Sequence, residues 1–599
     1  MKKITLSFVA LALAMSTMAV TPLVTTEWQF GSASPLIAAE SFENCPTNGV
    51  PYTWTRFVEN VTLGTVTNAT AWVGTNTERS ITGTFSAKMA NYQSVSDCWL
   101  VTPKLAITAA SATAVSFNWS NTAGDYGSSL EVWVSESATQ PTASTAFAAT
   151  AFKTIGEGPD GAWHLVNLDL TAYIGKTIYL GFKVRNFGNP TNPDAGGDNW
   201  WIEDVKLPLQ NMIGVGNNTR GMAYGIVNSI PTLAVVSREG GNSVRIINTV
   251  DGTQTASLNV TGITGGTNQV NDAGITSDGK ILVGNLVIAA TNVFKVYRWD
   301  DLKSAPTVAL SYTLPDASRY GDHFTVVGSI TAGTAKIYAA SSALVSSVAK
   351  VLCWSMIADV ANPGSYIFDS ANPTVVSSAI NWAASTPAIV PLSNGTYLYK
   401  GIGSPMRIIN ADGTLSPNSS NNATVATGGS SVQIVRTIAD STYVTYFRYG
   451  SGQEKADILR IVKGDLANAT VVGTTPALGI NGNAGGSGRV VVDASGNDVY
   501  LYVLGTNNGF GKYKVAGIVD TPTALKHTNN SDVSINLLNK NISIEGTTAS
   551  SIELFNTLGQ KVKSIVNSNE LNTGNLQGVY IVQVKSEGKI VMTSKISIR

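Results

Sequence analysis

Charge is scarce in this chain of 599 residues: 13% of positions are Asp, Glu, Lys or Arg, where about 25% is usual, and the 39 basic residues are balanced by 39 acidic ones. With no basic surplus to neutralise phosphates, dedicated nucleic-acid binding is excluded as an expectation. Histidine is scarcer still. His164 and His323 fall in different segments and His527 just ahead of the third, so no multi-histidine metal centre can form within one of them. Of three cysteines, Cys353 lies in an apolar run and reads as a core thiol, which leaves Cys45 and Cys98 as the one pair expected to bridge in an exported chain. Beyond the amino end no apolar run reaches 18 residues, so no membrane-spanning helix is expected. The Gly-rich run at 482–488 lacks a following Lys-Ser/Thr and reads as a connecting loop, not a phosphate cradle. Nor does a Gly-x-Ser-x-Gly elbow accompany His323.

What is present is export, strands and turns. Lys2-Lys3 followed by an apolar stretch to about Val20 has the pattern of a secretory signal, residues 1–20, removed on maturation. The 57 glycines and abundant Ser, Thr and Asn punctuate short runs of alternating apolar and polar residues. That period of two marks half-buried antiparallel strands, so the fold class is all-β.

The first mature segment, residues 41–207, alternates through 114–119, 129–134 and 177–184, the pattern of a two-sheet sandwich. Its clauses Ser41-Phe42-Glu43, Asp97-Cys98-Trp99-Leu100-Val101-Thr102-Pro103 and Asp198-Asn199-Trp200-Trp201-Ile202-Glu203-Asp204-Val205 resemble the cleaved-adhesin and choice-of-anchor J jelly rolls of secreted bacterial proteins. The resemblance implies structural Ca2+, with Glu43 and Asp204 as ligands, because carboxylates are the hard oxygen donors calcium takes; the alternative is that both cap strand ends. Trp200, Trp201, Tyr126 and Trp163 suggest an aromatic platform for sugars. Adjacent tryptophans on a strand point to opposite faces, however, so at least one of Trp200 and Trp201 belongs to the core.

The second segment, residues 209–520, repeats strand-like runs around Asp251-Gly252, Asp278-Gly279, Asn394-Gly395, Asp412-Gly413 and Ser495-Gly496. Such pairs supply the positive φ of tight hairpins, which makes these acidic residues turn formers first. About six units of roughly 52 residues imply a six-bladed β-propeller, with seven blades as the alternative count. Asn218-Thr219-Arg220-Gly221-Met222-Ala223-Tyr224-Gly225, Asn271-Asp272-Ala273-Gly274-Ile275 and Arg319-Tyr320-Gly321-Asp322-His323-Phe324 resemble an uncharacterised propeller-like family of secreted Bacteroidetes proteins. In that family a strand like Glu27-Trp28-Gln29-Phe30 precedes the first blade, which implies that residues 25–31 close the ring and that the jelly roll is an insertion. Arg220 and Arg319 are candidates for binding an acidic sugar near the axis. Asp322 and His323 are the acid–base candidates should the protein be an enzyme. The bland reading is that these charges tie neighbouring blades together.

The third segment, residues 531–599, reads as a small sandwich of immunoglobulin-like size. Phe555-Asn556-Thr557-Leu558-Gly559-Gln560-Lys561-Val562, Leu576-Gln577-Gly578-Val579-Tyr580 and Ser594-Lys595-Ile596 resemble the type A C-terminal sorting domain of the type IX secretion system, with Gly559, Gly578, Tyr580 and Lys595 in the matching clauses. The resemblance implies recognition by that machinery and a secreted or outer-membrane surface-attached product. Together the segments suggest non-catalytic binding of an extracellular glycan or protein. The alternatives are a polysaccharide hydrolase or lyase in the propeller channel, or a structural component of the surface layer.

Overall fold

In the computed structural model the described residues are 23–31, 36–63, 66–89, 95–122, 127–187, 198–209, 213–214, 216–342, 350–377, 385–419, 425–450, 454–479, 487–496, 498–518, 533–538, 540–556 and 559–598. The expected signal peptide and Tyr126 lie outside them. Strands dominate, and the helical turns among the described residues are two single 3-10 turns, at Ser144–Ala146 and Thr171–Tyr173. The chain divides into two compact units, residues 1–518 and 519–599.

Residues 36–209 form two antiparallel sheets around one core. One sheet runs, in spatial order, Lys153–Gly156, Ser129–Ser135, Thr177–Phe187, Val95–Val101 and Thr55–Leu63. In the other, His164–Leu168 pairs with Val115–Asn121, which pairs with Trp200–Leu209, joined in turn by Ser86–Met89 and Leu36–Glu40. The alternation read from the sequence decides which side chains meet. Leu100, Leu130, Val132, Phe182 and Val184 from the first sheet pack on Val115, Phe117, Trp200 and Ile202 from the second. At about 25 cal/mol per Å² of apolar surface, burying each such side chain stabilises the sandwich by roughly 1.5–3 kcal/mol.

From Thr219 onward, six antiparallel meanders follow one another in sequence. Their first strands are Thr219–Val227, Asn268–Ile275, Phe324–Val327, Ser385–Pro391, Gly429–Ile438 and Gly488–Asp493. Each of these first strands lies beside the next, and the sixth lies beside the first. Four of the five expected turn pairs behave as expected: Gly252, Gly279, Gly395 and Gly413 have positive φ, whereas Gly496 does not. Asp251, Asn394 and Asp412 each accept bonds from the backbone N–H and hydroxyl of the threonine two residues on, which confirms them as turn formers.

The sixth meander supplies three strands of its own, and Leu23–Gly31 adds the fourth by pairing antiparallel with Gly509–Ala516, Leu23 opposite Ala516 and Gly31 opposite Gly509. Trp28 and Phe30 pack their rings against Phe510 at 5.7 and 5.6 Å. Gly509 makes the approach possible: at φ +132°, a Cβ there would lie 2.0 Å from the carbonyl oxygen of Phe30.

In the second unit, Ser534–Leu538, Asn541–Glu545 and Glu570–Asn572 form one sheet, and Lys561–Val566, Ser551–Phe555, Gly578–Ser586 and Lys589–Ile598 the other. Ile542, Ile544, Ile552, Leu554, Val582 and Val584 fill the space between. Gly559 and Gly578 have positive φ, the Tyr580 hydroxyl donates to Gln577 O at 3.1 Å, and Lys595 is exposed.

Candidate functional site

The charged residues at the starts of the meanders do converge. Asp272 is fully buried; its Oδ2 accepts the N–H of Phe324 at 2.9 Å and lies 3.4 Å from Arg489 Nη2 and 3.6 Å from His323 Nδ1. Arg489 also donates from Nε to Met222 O and from Nη2 to Phe324 O, so one guanidinium holds the first, second, third and sixth meanders together. Close backbone contact adds to this, since a Cβ on Gly221 would lie 2.5 Å from the Cα of Asp272.

Arg319 grips Asp322 with two bonds, Nε to Oδ2 at 2.8 Å and Nη2 to Oδ1 at 2.5 Å. That pairing raises the Arg319 pKa against the opposing effect of burial. Arg220 donates from Nε to Asn217 O, and burial lowers its pKa while Asp322 opposes the fall. The Asp322 carboxylate is thus held by Arg319, and the His323 imidazole neighbours Asp272. Both His323 ring nitrogens, Asp272 Oδ1 and Arg489 Nη1 are buried without a hydrogen-bond partner among the described residues. The cavity that Arg489 lines with Tyr224, Phe324 and Gln433 is about 90 Å³, room for a few waters and far below the roughly 300 Å³ of a small ligand pocket.

In the sandwich, the pair expected to form an aromatic platform is covered. Trp200 is fully buried and donates to Ser128 Oγ at 2.9 Å; Trp201, on the opposite face, lies under the Arg79 guanidinium at 4.5 Å and donates to Asn76 Oδ1. Alternation sent them to opposite sides as expected, but neither indole keeps a free face. The expected bridge is also replaced: Cys45 and Cys98 are buried free thiols. Cys98 Sγ sits 3.5 Å from Ser96 Oγ, Cys45 packs against Gly74, and burial raises both thiol pKa values, that of Cys98 to about 11.

Glu43 and Asp204 reach the same loop, residues 81–85, but from protein donors' side. Glu43 Oε1 accepts the N–H groups of Thr84 and Phe85 at 2.7 and 2.6 Å, and Asp204 Oδ1 accepts the Thr82 hydroxyl at 2.7 Å. Between them Glu203, raised in pKa by burial, accepts the N–H groups of Ile81 and Thr82. Protein N–H and hydroxyl donors already take oxygens of all three carboxylates, and among the described residues no three His, Cys, Asp or Glu side chains gather as ligands. These residues do not fit a calcium ion. Nearby Glu40, buried and accepting the Phe42 N–H at 2.7 Å, has its pKa pushed up to about 8 by burial.

A constellation not anticipated from the sequence stands on the outward face of the sheet opposite to Trp200. Phe57, Trp99, Lys183 and Glu131 lie in one cross-strand row, with Asp97 and Arg185 in the next. Trp99 stacks between Phe57 at 5.4 Å and Phe147 at 4.7 Å, with Trp133 tilted beside it at 5.6 Å. Lys183 Nζ is 3.1 Å from Glu131 and 3.5 Å from Asp97, and Trp133 Nε1 donates to Glu131. The signal was available: Asp97-x-Trp99, Glu131-x-Trp133 and Lys183 all occupy the polar phase of strands whose apolar phase is the core.

Taken as a whole, this is an all-β chain of a sandwich and successive meanders with a separate carboxyl-terminal β unit. Residues 532–599 match the family of secretion system C-terminal sorting domains, which identifies that unit as a type IX sorting domain. The protein is thus secreted or attached to the outer-membrane surface, and its tail engages the secretion system. No helix among the described residues is long and apolar enough to cross a membrane. No curated protein matches the chain. Among solved structures, a DUF4623 family protein from Bacteroides eggerthii is 18% identical, with TM-score 0.41 over 54% of this chain and 80% of that one. PorZ of Porphyromonas gingivalis, described as a surface component of its type IX secretion system, is 14% identical, with TM-score 0.28 over 63% and 51%. Aleuria aurantia lectin, in complex with alpha-methyl-L-fucoside, is 11% identical, with TM-score 0.29 over 44% and 80%. At these TM-scores the likenesses fix neither the fold nor the function of this chain.

Proposed function

We propose that the mature protein is a non-catalytic, adhesin-type binding protein that recognises a glycan outside the cell. In this reading residues 41–207 are a jelly roll inserted after the first strand of a six-bladed β-propeller, which residues 25–31 close. The closed order of the meanders and the pairing of Leu23–Gly31 with Gly509–Ala516 support it. The observation that carries binding over catalysis is how the charges at the meander starts are used: Arg319 holds Asp322 within one loop and Arg489 lies against Asp272 across meanders, so they serve as structural partners rather than as a poised acid and base. General acid–base work on a glycosidic bond needs a carboxyl group within reach of the substrate, whereas Asp322 is taken at both oxygens by Arg319 and Asp272 is fully buried.

The test is a glycan array probed with the full mature chain, run beside a reducing-end assay on the same polysaccharides. Retention without new reducing ends is expected. Reducing ends released by the wild type but not by Asp322→Ala or His323→Ala would replace this reading with a hydrolase or lyase.

A further inference from the structure

Resting on the glycan-binding reading, we infer that the outward face around Trp133, Trp99, Asp97, Glu131 and Lys183 is a binding site for a neutral pyranose residue. The argument begins with cost. Lys183, Asp97 and Glu131 keep only 8%, 10% and 17% of their side chains in solvent, although they stand on the solvent side of the sheet. Charges withdrawn this far are expensive to hold and weak as a source of stability, so a purely structural role explains them poorly.

Their arrangement suits a sugar. Trp133 is half-buried with Lys183 Nζ over its ring at 5.3 Å, and a pyranose presents an apolar C–H face that packs on the part of the indole left in solvent, as apolar surfaces do on aromatic rings. Around that ring the hydrogen-bonding groups are of both kinds. Asp97 Oδ2 is taken by Asn60 Nδ2 at 2.7 Å, but Oδ1 is approached only by Lys183 at 3.5 Å and Arg185 at 3.8 Å, so it retains capacity to accept from a hydroxyl. Lys183 Nζ, which lines the cleft beside Trp133, supplies the opposite polarity as a donor, while Trp99 is buried in its wall.

Space is also present. Asp97, Trp99, Trp133, Phe147 and Lys183 line a surface cleft of about 330 Å³, at the lower end of the range for small-ligand pockets. Gly181 shapes it, because a Cβ there would lie 2.7 Å from Phe147 Cε1 and 3.1 Å from Trp99 Cε3. Its hydrogen lets the two rings close over the strand and form one wall. The charge pattern selects among sugars: Lys183, which lines the cleft with Asp97, is already paired with Asp97 and Glu131, so a carboxylated or sulfated sugar gains no unpaired cation from it, whereas neutral hydroxyls can both donate and accept.

The test is titration calorimetry of the full mature chain with methyl galactoside, methyl glucoside, methyl mannoside and N-acetylneuraminic acid, with tryptophan emission followed in parallel. At least one neutral pyranoside is expected to bind and change the emission. Trp133→Ala and Asp97→Asn should each weaken it about tenfold or more, while Leu165→Ala, on the outer face of the other sheet, leaves it unchanged. Melting curves establish that the variants fold, and Trp133→Phe should restore part of the affinity. Binding of a neutral sugar that neither variant alters would overturn this site while leaving the glycan reading intact. Tighter binding of N-acetylneuraminic acid would overturn the assigned sugar class. Absence of binding to every sugar here and on the array would remove both.

Discussion

Arg489 Nη2 lies 3.4 Å from Asp272 Oδ2, two fully or nearly fully buried charges contributed by the sixth and second meanders, whose sequence separation exceeds 200 residues. Each is also hydrogen-bonded to backbone of the third meander, Asp272 to Phe324 N–H and Arg489 to Phe324 O. Removing one partner would strand the other. Arg489→Met is therefore expected to cost about 3–5 kcal/mol in a denaturant melt, and the double variant with Asp272→Leu less than the sum of the singles. Strict additivity would mean that the two charges do not act as a pair.

Gly509→Ala tests the junction between the chain's amino-terminal strand and the sixth meander. The added methyl would meet Phe30 O at 2.0 Å on a backbone at φ +132°. A loss of about 2 kcal/mol or more is expected, with new protease sensitivity within residues 23–31. An unchanged melt would show that Leu23–Gly31 does not depend on this pairing.

Glu40 gives the sandwich a pH dependence of definite sign. Its folded pKa, about 8, lies above the ordinary value of 4.5, so between these two pH values the folded state holds a proton that the unfolded state has lost. Its contribution is complete below about pH 4.5 and is lost as the pH rises through 8. Glu40→Gln should flatten the fall in melting temperature between pH 5 and 8 relative to wild type. Parallel curves for the two proteins would contradict the assignment.

For calcium the expected result is indifference. Because the N–H groups of residues 81–85 already occupy Glu43 and Glu203, a chelator should leave the melting midpoint where it was. Glu43→Ala, by contrast, should lower stability by about 1–3 kcal/mol through two orphaned backbone donors. A midpoint that drops on chelation would restore the metal.

Much of the fold was legible because alternation and Asx-Gly turns are local signals. The strand at 129–134, the hairpins at Asp251-Gly252 and Asp412-Gly413, and the tail clauses around Gly559 and Gly578 all read directly. The site was less legible because it depends on pairing across strands. Trp200-Trp201 drew attention as neighbours in sequence, yet alternation drives one inward and Arg79 covers the other. Trp99 and Trp133 sit on strands separated by Thr177–Phe187, and only cross-strand register through Lys183 and Gly181 brings them together. Cys45 and Cys98 failed as a bridge for a related reason, since a pairing of thiols by count says nothing about where the fold places the turn that carries Cys45 and the strand that carries Cys98.

The sorting tail bears most directly on the account, because every binding role proposed for the sandwich requires it to be outside the cell. The decisive measurement is surface labelling and fractionation of cells carrying the chain truncated after residue 531 beside cells carrying it whole. The whole chain should reach the outer surface or medium and the truncated chain should accumulate inside the outer membrane. Equal surface display of the two would contradict the account.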